Sequence, residues 1–261
     1  MKKIISLFLR FIPRKYLQRF SHFGARVLGF FYRGNNVECP VCGSTYSKFL
    51  PYGRVSTREN ALCPNCLSLE RHRLMWLYLR DRTDFTSAKL KVLHVAPELC
   101  FLKKFEALEN LEYIKADLES PWATVHFDVH EIPFDENTFD VVICNHLLEH
   151  VEDDIKSLKE LYRVLKPGGW GIMQSPINPA REVTDEDRSL QTPKDREKKY
   201  GQSDHVRDFG LDYPVRLEKG GFRVMVDEFV RSLPDEKVKR YAVLTGGSLT
   251  VNDFIYRVEK Q

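Results

Sequence analysis

Between Leu90 and Met173 the hydrophobic rhythm of the chain changes in a regular order. Leu90-Lys91-Val92-Leu93-His94-Val95 and Leu111-Glu112-Tyr113-Ile114-Lys115-Ala116-Asp117 read as strands, and Thr124–Val129 as a third. Phe139–Cys144 is a continuous apolar run rich in β-branched residues, the pattern of a strand buried on both faces of a parallel sheet. Val151, Ile155, Leu158, Leu161, Tyr162 and Leu165 then recur at helical spacing and predict an amphipathic helix of about four turns. Pro167-Gly168-Gly169 ends it and turns the chain into a fifth strand, Trp170–Ser175. Strand, helix and strand in succession make a βαβ unit. Ligands in such sheets lie outside the carboxyl ends of the strands, which puts Asp128, Asn145 and His146 at the mouth of any site.

Beyond this core the pattern loosens. Ile177–Tyr213 is polar and dense in charge, and its length predicts a lid or a segment with its own helices. Its mixed charge reads as a solvated face. A helix over about Tyr213–Lys219 stops at Gly220-Gly221, and Phe222–Val230 and Asp253–Val258 follow as two alternating strands. Upstream, Ser68 can cap a helix whose buried stripe is Leu74, Leu77 and Tyr78, with Arg71, Arg73 and Arg80 at its edge and His72 at the surface or an interface.

Charge changes the picture at the front end. The net charge of +3 combines a balance of +11 over residues 1–90 with −8 over the rest. Residues 1–33 carry Lys2, Lys3, Arg10, Arg14, Lys15, Arg19, Arg26 and Arg33, no acid, and many large apolar side chains between them. No run is long enough to span a membrane, and Arg10 cuts short any signal-peptide core. Two readings stay open. The segment is an interfacial helix pair, broken near Pro13, in peripheral contact with an anionic membrane surface, or its apolar face packs on the protein. The acidic remainder argues against a broad nucleic-acid footprint. A cytoplasmic protein, peripheral on the inner membrane surface under the first reading, is expected.

Cys39-Pro40-Val41-Cys42 and Cys63-Pro64-Asn65-Cys66 are two C-x2-C pairs with zinc-ribbon spacing. Two thiolates on each tight turn would complete a tetrahedron around one ion. With no export signal evident, disulfides are disfavoured, and four cysteines leave no open position. The expected ion is structural zinc at Cys39, Cys42, Cys63 and Cys66. Cys100 and Cys144 fall in the apolar pattern as buried free thiols.

The stretches Asp128…Ile132-Pro133-Phe134…Phe139-Asp140…Leu148-Glu149-His150…Val164-Leu165-Lys166-Pro167-Gly168-Gly169 resemble the core of class I S-adenosylmethionine-dependent methyltransferases. The resemblance covers about Leu90 to the C-terminus. It implies an α/β, doubly wound, Rossmann-like seven-stranded sheet, here behind a small N-terminal zinc-binding module. The expected boundaries are 1–33 for the basic segment, 34–82 for the zinc-ribbon-like module and its linking helix, and 83–261 for the methyltransferase domain.

The resemblance also implies site residues. Asp117 ends the second strand, where an acid can accept both hydrogen bonds of a ribose diol or simply cap a turn. Asp128 would accept from the adenine amino group, with the Val129 backbone beside the ring, and has the same turn-capping alternative. The first strand departs from the family. His94 stands in place of its acid, and Ala96, Glu98 and Cys100 fill its glycine positions, with Pro97 removing a donor. Glu98 would serve its helix dipole or bind the cofactor's ammonium group. Asn145 and His146 line the mouth, and His150 reads as a packed structural group. The segment around His205 resembles one that brings a histidine over the site, so His205 is expected as general base with His146 positioning the acceptor.

The leading expectation is methyl transfer to a small-molecule, glycan or lipid-linked acceptor, with the oligomeric state left open. An RNA methyltransferase gripping phosphates with its front module, and a cofactor-binding protein without catalysis, are the alternatives.

Overall fold

In the computed structural model, residues 14–53 and 57–261 are described. The first thirteen residues of the predicted basic segment lie outside them. The chain forms two compact units, one running to Leu77 and taking in Leu233–Ser248, the other made of Tyr78–Ser232 and Leu249–Gln261.

The first unit has little regular structure. A helix, Arg14–Phe31, precedes two short antiparallel hairpins, β1 (Val37–Glu38) with β2 (Thr45–Tyr46) and β3 (Leu50–Tyr52) with β4 (Arg58–Leu62). The helix turns its small residues inward. Ala25 is buried, and a Cβ on Gly29 would stand 2.7 Å from Pro64 Cβ. His22 Nε2 lies 2.7 Å from Asn65 O. Phe23 and Phe31 are left outward, 70% and 77% exposed.

The helix Glu70–Arg82 begins in this unit. His72 and Arg73 correct their expected places, since both are buried. His72 Nδ1 accepts from Leu69 N–H (3.0 Å). Arg73 donates to the carbonyls of Ala61 (2.8 Å), Ser68 (3.0 Å), Tyr241 (2.7 Å) and Ala242 (2.6 Å), and stacks 4.4 Å from the Phe49 ring centre. One guanidinium thus ties β4, the second cysteine turn and the 233–248 segment together. Its planar fork of five donors makes this possible. Nothing in the sequence separates 233–248, with its helix Asp235–Tyr241, from its neighbours.

The second unit is built on β5 (Leu90–Val95), β6 (Leu111–Asp117), β7 (Val125–His126), β8 (Phe139–Cys144), β9 (Leu165–Ile172), β12 (Arg223–Asp227) and β13 (Ile255–Glu259), with β10 (Asp185–Glu186) and β11 (Arg207–Asp208) as a separate ladder. The sheet order is β12-β13-β9-β8-β5-β6-β7, with β13 antiparallel to both neighbours and the others parallel to one another. Helix Asp154–Val164 connects β8 to β9 and starts with Asp153 accepting from Lys156 N–H (2.9 Å). Leu158, Leu161 and Val164 on its apolar face are fully buried in the core with Phe139, Val142 and Leu165. Each such side chain stabilises the fold by roughly 1.5–3 kcal/mol through burial. Phe139 pairs with Leu165 and Val141 with Trp170, so Lys166-Pro167-Gly168-Gly169 bulges out of the ladder.

The charged insertion folds as well. Thr192 caps the helix Pro193–Tyr200, and Gly201 closes it at φ 80°. It is not only a solvated face. Arg207 is fully buried, and its guanidinium reaches Glu186 at 3.3 Å, while Arg216 bonds both Glu186 (2.6 Å) and Asp154 (2.9 Å).

Candidate functional site

Two non-glycine residues sit in the left-handed region just past the carboxyl ends of β5 and β8: Ala96 at φ 51° and His146 at φ 52°. Such strain persists where the surroundings fix it and is concentrated at sites. Ala96 N–H donates to Ala116 O (2.8 Å) and His146 N–H to Gln174 O (2.7 Å), which locks both turns to neighbouring strands.

A side-chain hydrogen-bond chain runs across these strand ends. Glu98 receives His94 Nε2 at 2.6 Å and Asn145 Nδ2–H at 3.1 Å. Asn145 Oδ1 accepts from Gln174 N–H (3.0 Å), and the Gln174 side chain continues to Phe254 O (2.9 Å) and Tyr256 N–H (2.9 Å). On the other side His94 Nδ1 lies 2.9 Å from the Tyr113 hydroxyl. Burial pushes the Tyr113 phenol up. His94, Glu98 and Asn145, predicted separately, are therefore one unit. The carboxylate expected at position 94 is supplied from position 98.

Asp117 and Asp128 stand at the ends of β6 and β7. Asp117 Oδ1 accepts from Glu119 N–H (2.9 Å) and Ser120 N–H (2.8 Å). Asp128 Oδ1 accepts from His130 N–H (2.9 Å) and from His130 Nδ1–H (2.6 Å), because His130 Nε2 is occupied by Asp153 N–H (3.2 Å). The His130 backbone bond, outweighing the upward push of burial, holds the Asp128 carboxyl below its ordinary range. Both acids cap turns, yet each spends one oxygen on it. The second oxygen of each has no protein donor among the described residues. Asp128 is 59% exposed, whereas Val129 beside it is buried. The adenosine part of an S-adenosylmethionine would find two carboxylate oxygens here, and its methionine part would meet Glu98, 14% exposed. This set fits S-adenosylmethionine.

Four further residues gather beyond β8. Glu149 is buried, with Oε1 3.4 Å from His146 Nδ1 and Oε2 accepting from Ser175 Oγ–H (3.1 Å). Burial pushes its carboxyl up, but His146 and then His150 more than reverse this, so it sits below its ordinary value. The rings of His150 and His205 meet edge to face, centres 4.7 Å apart. Burial, then the neighbouring His150, lowers the His205 imidazole. His146 and His205 thus meet at Glu149. Glu149 belongs to the Leu148-Glu149-His150 stretch of the resemblance, but the sequence assigns it no site role.

In the first unit the four predicted cysteines converge. Their sulfurs lie within 4.8 Å of one another, with Cys39–Cys66 at 3.6 Å and Cys42–Cys63 at 3.7 Å. All four are free thiols. A tetrahedral zinc with Zn–S of about 2.3 Å needs sulfurs about 3.8 Å apart, so the cage has zinc's size. The two turns are built alike. Gly43 N–H donates to Cys39 O (2.7 Å) and Leu67 N–H to Cys63 O (2.9 Å), with φ 73° at Gly43 and 63° at Leu67. Asn65 Nδ2–H donates to Ser44 Oγ (2.9 Å) and joins the turns.

Residues 99–173 match the family model described as a methyltransferase domain. The matched stretch lies within the second unit, which has a methyltransferase-like α/β fold. Over 70 residues the chain is 51% identical to a demethylmenaquinone methyltransferase of Staphylococcus epidermidis, covering 27% of this chain and 24% of that protein. Over 56 residues it is 41% identical to a ubiquinone/menaquinone biosynthesis C-methyltransferase of Desulfotalea psychrophila, covering 22% and 23%. The chain thus spans about a quarter of the length of these curated relatives. A solved S-adenosylmethionine-dependent methyltransferase from Mesorhizobium loti is similar over 72% of this chain and 98% of that one, with 16% identity and a TM-score of 0.47.

Proposed function

We propose that the protein is an S-adenosylmethionine-dependent methyltransferase acting on an oxygen or nitrogen of a small-molecule, glycan or lipid-linked acceptor. The observation that carries this reading is the pair of half-committed acids, Asp117 and Asp128, beside the Glu98-centred chain at the strand ends. When bound, the cofactor would supply an electrophilic methyl group. Asp117 would hold the ribose, Asp128 and the Val129 backbone the adenine, and Glu98, oriented by His94 and Asn145, the ammonium group. Ala96 and Pro97 would form the turn against the methionine portion. The acceptor would lie toward His146, Glu149, His150 and His205, and loss of its proton falls to this group. Zinc at Cys39, Cys42, Cys63 and Cys66 would hold the first unit. The relatives' quinone acceptors are not carried over, because the match covers only a quarter of those proteins.

Calorimetry with S-adenosylmethionine, its demethylated product and adenosine tests the assignment. Asp117→Ala should weaken all three by about 1–3 kcal/mol, by leaving bound hydroxyls unpaired. Glu98→Gln should weaken the first two and spare adenosine. Absence of heat with any of the three while another nucleotide binds would overturn the reading.

For residues 1–33 we propose contact with an anionic membrane. The support is the outward set Phe23, Val27, Leu28, Phe30 and Phe31, together with eight basic residues and no acid. Each basic residue near such a surface is worth about 1 kcal/mol at low salt. Flotation with phosphatidylserine vesicles should fall when Phe23 and Phe31 become Ser, and when salt is raised. Equal flotation of the variant and the parent would remove the idea.

A further inference from the structure

Glu149-His150 and His205 come from distant stretches of the chain that are fastened together. Val206 N–H donates to Glu149 O (2.9 Å). The buried Arg207 guanidinium donates to the carbonyls of Leu148, Val151 (2.6 Å) and Glu152 (2.8 Å), clasping the loop on both sides of Glu149-His150. The result is one carboxylate and two imidazoles whose donor atoms lie within 4.8 Å of one another. His205 is only 7% exposed, and its ring meets that of His150 edge to face.

We propose that Glu149, His150 and His205 bind a divalent first-row transition-metal ion. Two imidazoles and one carboxylate on one side of an ion are the donor set such ions take with coordination positions left open. The surroundings supply the outer contacts expected of ligating side chains. Asp204 O lies 3.2 Å from His150 Nδ1 and its carboxylate 3.5 Å away, fixing that ring. Ser175 Oγ–H holds the Glu149 carboxylate at 3.1 Å. These groups are distinct from the cysteine cluster and from the residues assigned to the cofactor.

The ion's role rests on the methyl-transfer reading, although its binding does not. At an open position it would take the acceptor's oxygen and make that hydroxyl easier to deprotonate, the proton leaving to solvent as the oxygen takes the methyl from the cofactor's sulfonium, whose C–S bond breaks to leave a neutral thioether. The acceptor is then an oxygen nucleophile. His205 is in this arrangement a ligand, which replaces its expected role as a free base.

The test uses full-length protein with its cysteine cluster already filled by zinc. Mn²⁺, Co²⁺ and Zn²⁺ are titrated separately, and Fe²⁺ without oxygen, with bound metal counted after desalting and by calorimetry. At least one of these ions should bind at one further equivalent per chain. His205→Ala and Glu149→Gln should each weaken it by ~10-fold or more, with the cysteine-bound zinc retained. His205→Gln and a folding check by circular dichroism guard against a variant that fails to fold. In the unmutated protein, bound Co²⁺ should give only the weak visible absorption of nitrogen and oxygen ligands, without the intense thiolate bands. Absence of a further equivalent of all four ions, or binding that the folded His205 variants leave unchanged, overturns the proposal. Cofactor calorimetry on samples with zinc at the cysteines and the further site empty scores the methyl-transfer reading independently.

Discussion

The two units solve the problem of staying folded in different ways. The second buries a contiguous set of aliphatic and aromatic side chains between a seven-stranded sheet and its helices. The first has hairpins with strands of two to five residues, too short to stand alone in water. What it adds to a smaller buried apolar set, which includes Val37, Val41, Phe49, Leu50, Leu69 and Leu74, is four sulfurs at zinc spacing and one buried guanidinium. Where the apolar core is large, stability is spread over many contacts. Where it is small, a few polar ties carry a larger share, and the unit should fail abruptly when one is lost.

Chelation makes the largest difference. Structural zinc contributes on the order of 10–16 kcal/mol of apparent binding free energy in small metal-folded modules. Stripping the ion should therefore unfold residues 37–66 while the sheet remains. Hydrogen exchange with and without chelator measures this region by region. Protection of β1–β4 that survives verified metal loss would break the contrast.

Single substitutions come next. Arg73→Met removes a donor from four carbonyls, of which Ser68 O keeps its bond from Cys63 N–H, at a summed cost of about 3–5 kcal/mol. Leu161→Ala in the second unit opens a cavity at about 2–5 kcal/mol. Denaturant titration followed by regional exchange should find each loss confined to its own unit. An Arg73 variant that matches the parent in the first unit would show that the metal alone suffices there.

The contrast also explains what could be read in advance. The cysteine pairs are legible because metal geometry demands a local spacing. The sheet strands are legible because double-sided burial writes a continuous apolar run, as at Phe139–Cys144. Asp117 and Asp128 are legible because they end strands. Arg73 and Arg207 are not, since a guanidinium that becomes a buried staple has the same local signature as one on a solvated face. Their partners are carbonyls, which any residue can supply. Glu149 acquires its meaning only when Arg207 and Val206 bring His205 to it. The third strand shortens to Val125–His126 because Asp128 turns the chain around its own carboxylate.

The smallest effect compares the units on equal terms. Each carries a non-glycine residue where the backbone is left-handed, Leu67 at φ 63° and Ala96 at φ 51°. Holding an L-residue there costs roughly 1 kcal/mol more than holding glycine. Glycine gives some of this back, because it also loosens the unfolded chain. Ala96→Gly should still raise the melting temperature of the sheet unit by at most about 2–4 °C, measured by calorimetry, with cofactor affinity little changed. Leu67→Gly lies in a turn whose folding is coupled to the ion, so the same gain should appear as metal binding tightened by at most roughly fivefold. Melting should show it only to the extent that the ion leaves on unfolding. A lower melting temperature in Ala96→Gly would mean that the Ala96 methyl contributes more by packing than its backbone loses by strain. In that case the departure from glycine at this turn is a fit to its neighbours, and the cofactor's methionine end would have to be accommodated by a stiffer turn than glycine allows.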